Sequence, residues 1–255
     1  MSRSLQKGID ALLFLASRKS AGVTEVAEAL RVNKSTAFRI LNTFLKANMA
    51  EKNKDTLKYR LGPAVLKLSE QYYRNFNIIE NSRPVMEKLS AEIHESVHLC
   101  VLANNSAVII EQIMSSSRLV VNAKVGNNEP LHCSAVGKCL LAFSTEEKME
   151  AMISDLPFMA FTGKTMMDRE TLRAELRRVR EAGYAIDDEE LSVDIKCVAV
   201  PVFNERGVCI YSLGVSGAAS RMTGEKIDHI IPLMSRASGS ILAGMKDKLW
   251  SSIYN

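Results

Sequence analysis

The chain has 255 residues, 47% of them hydrophobic and 24% charged, the composition of a globular protein with one large or two ordinary domains. No apolar run approaches the roughly eighteen residues that a membrane span needs, and Met1 to Gly8 lacks a signal-peptide core, so a cytoplasmic protein without a membrane partner is expected. The net charge of +4 hides a division, because residues 1–62 hold 12 Lys and Arg against 5 Asp and Glu, and residues 63–255 hold 21 against 24. A basic head on a slightly acidic body points to a polyanion at the head alone.

Leu5, Ile9, Leu12, Leu13 and Ala16 recur at helical spacing and predict a first helix that ends in the polar stretch Ser17 to Gly22. Thr24 is the expected cap of a short second helix that turns Val26, Ala27 and Leu30 inward. After a three-residue break at Arg31-Val32-Asn33, a third helix starts from an Asn33 or Lys34 cap, with Ala37, Ile40, Leu41, Phe44 and Leu45 as its core stripe. Met49 to Lys52 and Leu57 to Leu61 read as two strands. In the second, Leu57, Tyr59 and Leu61 alternate with Lys58 and Arg60. Gly62-Pro63 stops it and opens a linker or dimerisation helix with Ala64, Val65, Leu68, Tyr72 and Phe76 on its apolar face.

From Ile78 onward helix and strand signals alternate. Pro84 to Ile93 reads as a helix, and Ser96 to Leu102 with Ala107 to Ile113 as a hairpin turning at Asn104-Asn105. A strand at Leu119 to Lys124, a glycine-containing loop from Gly126 to Pro130 and a helix near Ala135 to Phe143 follow. Asp168 caps a long helix carrying Leu172, Leu176 and Val179 that ends at a left-handed Gly183. Strands at Cys197 to Phe203 and Val208 to Val215 flank the turn 204–207. The last helix runs from about Thr223 to Lys248, bent near Pro232. This order predicts an α+β chain: residues 1–62 as a winged helix-turn-helix, 63–77 as the linker helix, and 78–255 as an antiparallel sheet flanked by helices.

Two short helices at a tight turn followed by a basic hairpin is the order of a winged helix-turn-helix, whose third helix enters the major groove of duplex DNA. With its apolar stripe buried, that helix turns Lys34, Ser35, Thr36 and Arg39 outward, with Asn42 and Thr43 one turn on. These are donors suited to phosphates and base edges, and Arg39 is the best placed for a bidentate base contact. Lys52, Lys54 and Lys58 on the wing suit phosphate. The plain alternative is an ordinary solvated helix face beside a lysine-rich hairpin.

The residues now resemble those of the IclR family of bacterial transcription regulators. The head matches in Ser35-Thr36-x-x-Arg39-x-Leu41 and Tyr59-Arg60-Leu61-Gly62. The body matches in Pro130 to Lys138, in Gly183-Tyr184-Ala185-x-Asp187-x-Glu189-Glu190 and in Cys197-x-Ala199-x-Pro201-Val202-Phe203. The resemblance implies a GAF-like effector domain, a homodimer that often pairs into a tetramer, and operator binding altered by a metabolite, often a small organic acid. It also implies a repressor more often than an activator. Carried over residue by residue, it lines the pocket with Ala135, Val136, Asp187, Ile195, Cys197, Gly214 and Ser216. Exposed amides at the start of the Ala135 helix are suited to a carboxylate, with Ser216 and Cys197 adding weak polar contacts. Asp187 is open to three roles: repelling an anion, bonding a ligand hydroxyl, or capping a turn. Arg31, Asn48 and Asp194 stand where members often have glycine.

A metabolite-binding, hydrolase-like enzyme with a vestigial head is the reading from another class. His132, Cys133 and Ser134 invite a nucleophile with Asp187 as orienter, yet adjacent residues rarely form a working nucleophile and base pair. Gly137-Lys138 lacks the spacing of a phosphate loop. Five cysteines, Cys100, Cys133, Cys139, Cys197 and Cys209, form no CxxC pair and are expected to be buried thiols. His94, His98 and Cys100 are the one candidate metal cluster, but a strand from Ser96 breaks their helical spacing. Neither metal nor cofactor is therefore expected, and no catalysis.

Overall fold

The computed structural model of the chain describes residues 2–75, 78–103, 105–115, 124–204 and 206–253, and the chain divides into two compact units, Met1–Phe76 and Asn77–Asn255. In the first, α1 (Arg3–Ala16), α2 (Val23–Ala29) and α3 (Lys34–Lys46) precede a two-stranded antiparallel wing, β1 (Ala50–Lys52) and β2 (Tyr59–Leu61), and then α4 (Ala64–Asn75). Ala11, Leu15, Val26, Ala27, Leu30, Ala37, Leu41 and Tyr59 form one buried cluster, to which α2 and α3 contribute their predicted stripes. Helix α1 is a correction: it buries Ala11 and Leu15, one turn apart, and leaves the expected Leu5, Ile9, Leu13 and Ala16 exposed, so the apolar period alone picked the wrong face. Asn33 is the cap of α3, with Oδ1 accepting from Thr36 N at 2.8 Å.

Three further local expectations are corrected. Gly22, not Thr24, precedes α2, because the Glu25 carboxylate reaches back to accept from Gly22 N at 2.7 Å and fixes the start two residues earlier. Leu57 is not on the wing's apolar face: it is 60% exposed with φ 57°. Asn53 Oδ1 accepts from Asp55 N and Thr56 N, and this turn holds the chain out of the strand until Tyr59 pairs with Lys52. Leu68 is likewise exposed on α4, while the Tyr72 side chain and Phe76 lie outside the described residues. Arg31 (φ 51°) and Asn48 (φ 54°) do adopt the left-handed conformation, each just past the last residues of a helix.

The second unit is a six-stranded antiparallel sheet in the order β5-β4-β3-β8-β7-β6, where β3 is Ser96–Ala103, β4 Ser106–Ile113, β5 Asn128–Pro130, β6 Ala185–Asp188, β7 Ile195–Phe203 and β8 Cys209–Ala218. One face packs Val97, Leu99, Val198, Val200, Leu213 and Val215 against α5 (Ile78–Ile93) and α9 (Gly224–Ile253). The other packs Cys100, Ile109, Ala185 and Ala199 against α6 (Ala135–Ala142), α7 (Glu146–Asp155) and α8 (Arg169–Ala182). Alternation along each strand explains the two cores, since odd and even residues point to opposite faces.

Asp168 caps α8, accepting from Thr171 N at 2.9 Å, and Gly183 ends it at φ 82°. Pro84 does not start a helix, because α5 begins at Ile78 and takes the proline into its interior. The loop expected up to Pro130 ends instead in β5, which adds an edge to β4. Helix α7 and strand β6 were not anticipated, although Thr145 caps the former in the ordinary way, with Glu146 and Glu147 in its first turn. Most of the strand expected at Leu119 to Lys124, together with Asn104 and Glu205 of the two turns, lies outside the described residues.

Candidate functional site

On the head, Lys34, Ser35, Arg39 and Thr43 are exposed and Thr36 and Asn42 half-buried; Ser35, Thr36, Arg39, Asn42 and Thr43 lie on the side of α3 away from Ala37 and Leu41, and Lys34 is its first residue. Two hydroxyls are already engaged locally: Ser35 Oγ donates to Asn33 Oδ1 at 2.8 Å, and Thr43 Oγ1 donates to Arg39 O at 3.0 Å. Arg39 and Lys34 have no ion-pair partner among the described residues. On the wing, Lys58 Nζ lies 3.5 Å from Glu25 and the Lys52 ammonium sits 5.4 Å over the Tyr59 ring, while Lys54 is exposed and has no ion-pair partner among the described residues. Arg60 is held by Glu51 through two hydrogen bonds of 2.9 and 2.8 Å, so one basic residue of the strand is offset.

In the second unit the register gathers the predicted pocket residues in two rows across the face beneath α6. Asp187 pairs with Cys197, Cys197 with Ser216, and Ser216 with Ser96. One step along, Ala199 pairs with Gly214 and Gly214 with His98. Cys197 Sγ and Ser216 Oγ are 3.0 Å apart. Ile195 lies further along β7, opposite Ala218, on the same face.

Ala135 and Val136 open α6 above these rows. Ser134 caps the helix, its Oγ accepting from Gly137 N at 3.0 Å and donating to Pro130 O at 2.6 Å. The first intrahelical bond is from Lys138 N to Ser134 O, so the amides of Ala135 and Val136 precede the ladder and are the ones suited to an anion. A β-carbon on Gly137 would stand 2.5 Å from Pro130 O, which explains a glycine where the helix lies down on its own approach loop.

Of the three roles open to Asp187, the turn cap is present: Oδ1 accepts from Glu190 N at 2.7 Å and from Leu191 N at 3.3 Å. Burial raises its carboxyl to about 7 against the lowering effect of those bonds. The same turn brings Glu190 to within 2.5 Å of Lys138 Nζ, a side chain only 1% exposed. Asp194 has φ 64°, its amide donating to Glu189 Oε1 at 3.0 Å, so the position where a glycine is common has kept the left-handed backbone.

Sequence reasoning missed two groups on this face. His98 is 4% exposed, Nδ1 has no hydrogen-bond partner among the described residues, and burial lowers the imidazole to about 4. Glu129 on β5 has its carboxyl raised by burial. The sequence offers His98 two roles, a satisfied polar or core histidine or a metal ligand with His94 and Cys100. The structure separates them, with His94 past the end of α5 at φ 59°, and no metal-holding group is found among the described residues.

The nucleophile reading fails on geometry. The Ser134 hydroxyl is spent as a helix cap, and His132 Nε2 is 3.0 Å from Met159 O with its ring among Phe158 and Phe161. Burial, then the nearby Asp187 and Glu190 charges, push the Cys133 thiol up to about 12, away from thiolate.

Two family models match the chain: the IclR helix-turn-helix domain over residues 4–54 and the bacterial transcriptional regulator IclR C-terminal domain over residues 70–243. The chain belongs to the IclR family. It is 29% identical over 242 residues to the HTH-type transcriptional regulator KdgR of Escherichia coli, a match spanning 95% of this chain and 92% of that one. With the HTH-type transcriptional repressor AllR of Salmonella typhi it shares 30% over 226 residues, 88% of this chain and 83% of the other. The fold matches that of an IclR homologue from Microbacterium hydrocarbonoxydans solved with 4-hydroxybenzoate, at TM-score 0.81 and 23% identity over 96% and 99% of the two chains. As an IclR-family protein it is a DNA-binding transcription regulator with an effector-binding domain, and the enzyme reading falls with that assignment.

Proposed function

We propose that this IclR-family regulator is a homodimeric repressor, able to pair into a homotetramer, that works in the cytoplasm on a double-stranded operator. Helix α3 enters the major groove, Arg39 reads a base edge, and Lys34, Ser35, Thr36, Asn42 and Thr43 with Lys52, Lys54 and Lys58 fix the frame on phosphates. The observation that carries the DNA half is the unpaired, exposed Arg39 on the outward face of a helix whose opposite face is core. Residues 1–62 form the reader, 63–77 the linker helix and 78–255 the sensor.

Two features support a second copy. Leu5, Ile9 and Leu13 make an exposed apolar row on α1, and Leu66 and Leu68 are exposed on α4. The repressor role is supported by the AllR relative, a transcriptional repressor.

The effector is a small organic acid. Its carboxylate meets the Ala135 and Val136 amides, and Cys197, Gly214, Ser216, Ile195 and Asp187 surround it; the bound 4-hydroxybenzoate of the Microbacterium homologue is an acid of that class. Operator binding responds only if the acid favours one arrangement of the heads over another. Fluorescence anisotropy on a labelled duplex from the region upstream of its own gene tests this. Tight, salt-sensitive binding that weakens with a saturating carboxylic acid is expected. Equal affinity for operator and random duplex would overturn the reading.

A further inference from the structure

His98 and Gly214 are cross-strand partners on β3 and β8, on the face that α6 covers. A β-carbon at Gly214 would collide with Nε2 of His98, and would stand 2.7 Å from both Cε1 of that ring and Cγ1 of Val136. The imidazole therefore lies across the backbone of β8, directly beneath the first turn of α6. Any side chain at 214 would exclude it. Two residues along β8, on the same face, is Ser216, whose hydroxyl meets Cys197.

This ring has the wrong surroundings for a structural histidine. A buried imidazole normally has both nitrogens engaged, because leaving one unpaired costs about 1–3 kcal/mol of desolvation. Here Nδ1 is shut from solvent without a partner among the described residues, whereas the other buried histidine, His132, has its carbonyl partner at 3.0 Å. The space above Gly214 that the ring occupies is bounded on the α6 side by the Val136 methyl, which cannot satisfy Nδ1. With its basicity depressed by burial, the ring is neutral at physiological pH and has one N–H to give and one lone pair to receive.

We propose that His98 is a ligand-contacting residue of the effector site, donating its ring N–H to a carboxylate or carbonyl oxygen of the bound acid, and that Gly214 is the clearance that admits the ring. The proposal rests on the effector-site reading above and extends it from helix amides to a side chain on the sheet floor. The acid is thus held from two sides, by α6 amides on its carboxylate and by the imidazole below. Acids with an oxygen beyond the carboxylate, such as 2-oxo and hydroxy acids, are favoured over plain alkanoates, since only they engage both.

The test uses the full-length protein and calorimetric titration with glyoxylate, pyruvate, 4-hydroxybenzoate and, as the plain alkanoate, propionate. His98→Phe keeps the ring volume without the N–H, His98→Asn keeps a donor on a shorter side chain, and Ser216→Ala probes the site independently. Expected is binding of an oxygen-bearing acid at least tenfold tighter than propionate, a loss of about tenfold or more in His98→Phe, the equivalent of 1.4 kcal/mol, and partial recovery in His98→Asn. On the wild type, long-range proton–nitrogen spectra should show the His98 ring nitrogens shifting when that acid saturates the protein, a readout that stands even if a variant does not fold.

Loss in Ser216→Ala with unchanged binding in His98→Phe, or stationary His98 nitrogens under saturation, would overturn this proposal and leave the effector site standing. Absence of binding by every acid to the wild type would overturn the organic-acid reading, and this proposal with it.

Discussion

The imidazole of His98 occupies the space that a side chain at residue 214 would need, so the two positions on β3 and β8 form one packing unit. Replacing Gly214 by Ala should destabilise the protein by about 1–3 kcal/mol, the usual consequence of overpacking a dense interior. The double variant with His98→Ala should recover part of that loss, because the clash is removed. Urea denaturation of the four proteins as a cycle measures it; additive losses would mean that the ring does not confine residue 214.

Asp187 and His98 give opposite pH dependences. The carboxyl is raised by burial to about 7 from an ordinary 3.8, so between those values the native state holds a proton that the unfolded chain releases, and stability falls as pH rises through that window. The imidazole is lowered by burial to about 4 from an ordinary 6.5, so the unfolded chain takes up a proton that the native state refuses, and stability falls as pH drops through that window. Asp187→Asn should therefore gain relative to wild type at about pH 7.5 compared with about pH 5, and His98→Phe should gain at about pH 5 compared with about pH 7.5. Urea midpoints at both pH values read the two signs.

On the head, Arg39→Ala should lose about 1–3 kcal/mol on the operator and narrow the gap to random duplex. Lys54→Ala should weaken both duplexes alike and lower the salt slope by about one. Anisotropy titrations across a range of salt concentrations separate a base contact from a phosphate contact.

Arg31 carries a β-carbon at φ 51° on an exposed corner after α2. Arg31→Gly should raise stability by about 1 kcal/mol, since a glycine there avoids the left-handed penalty. A urea midpoint that stays put would mean the turn relaxes without strain.

The apolar row on α1 supplies a fifth prediction. Ile9→Glu with Leu13→Glu should shift the protein toward smaller species in light scattering at micromolar concentration, with the helical circular dichroism retained. An unchanged mass would place the self-contact elsewhere.

The parts legible in the sequence are those written in short-range code. Asn33 with its following stripe, and Asp168 with Gly183, announce α3 and α8 because a cap and a period of 3.6 need only neighbours a few residues away. Leu57 misled because alternation alone ignores the Asn53 turn, and Pro84 because a proline inside a helix looks like one at its start. Strands as short as β5 and β6 leave too few residues for a period to register. Asp187, Cys197 and Ser216 were reachable only through family motifs. His98 escaped because its meaning lies in a partner on β8, far along the chain, and register between distant strands is not written locally.

That register also bears on the order in which the molecule comes into being. Strand β8 inserts between β3 and β7, joining Ser96 to Ser216, so the sensor's sheet stays open until β8 has been made. The wing and the three helices of the head, by contrast, close on contacts within Arg3 to Leu61. A nascent regulator thus has a finished reader well before it has anything with which to sense, and a chain truncated before β8 would be a reader deaf to its metabolite.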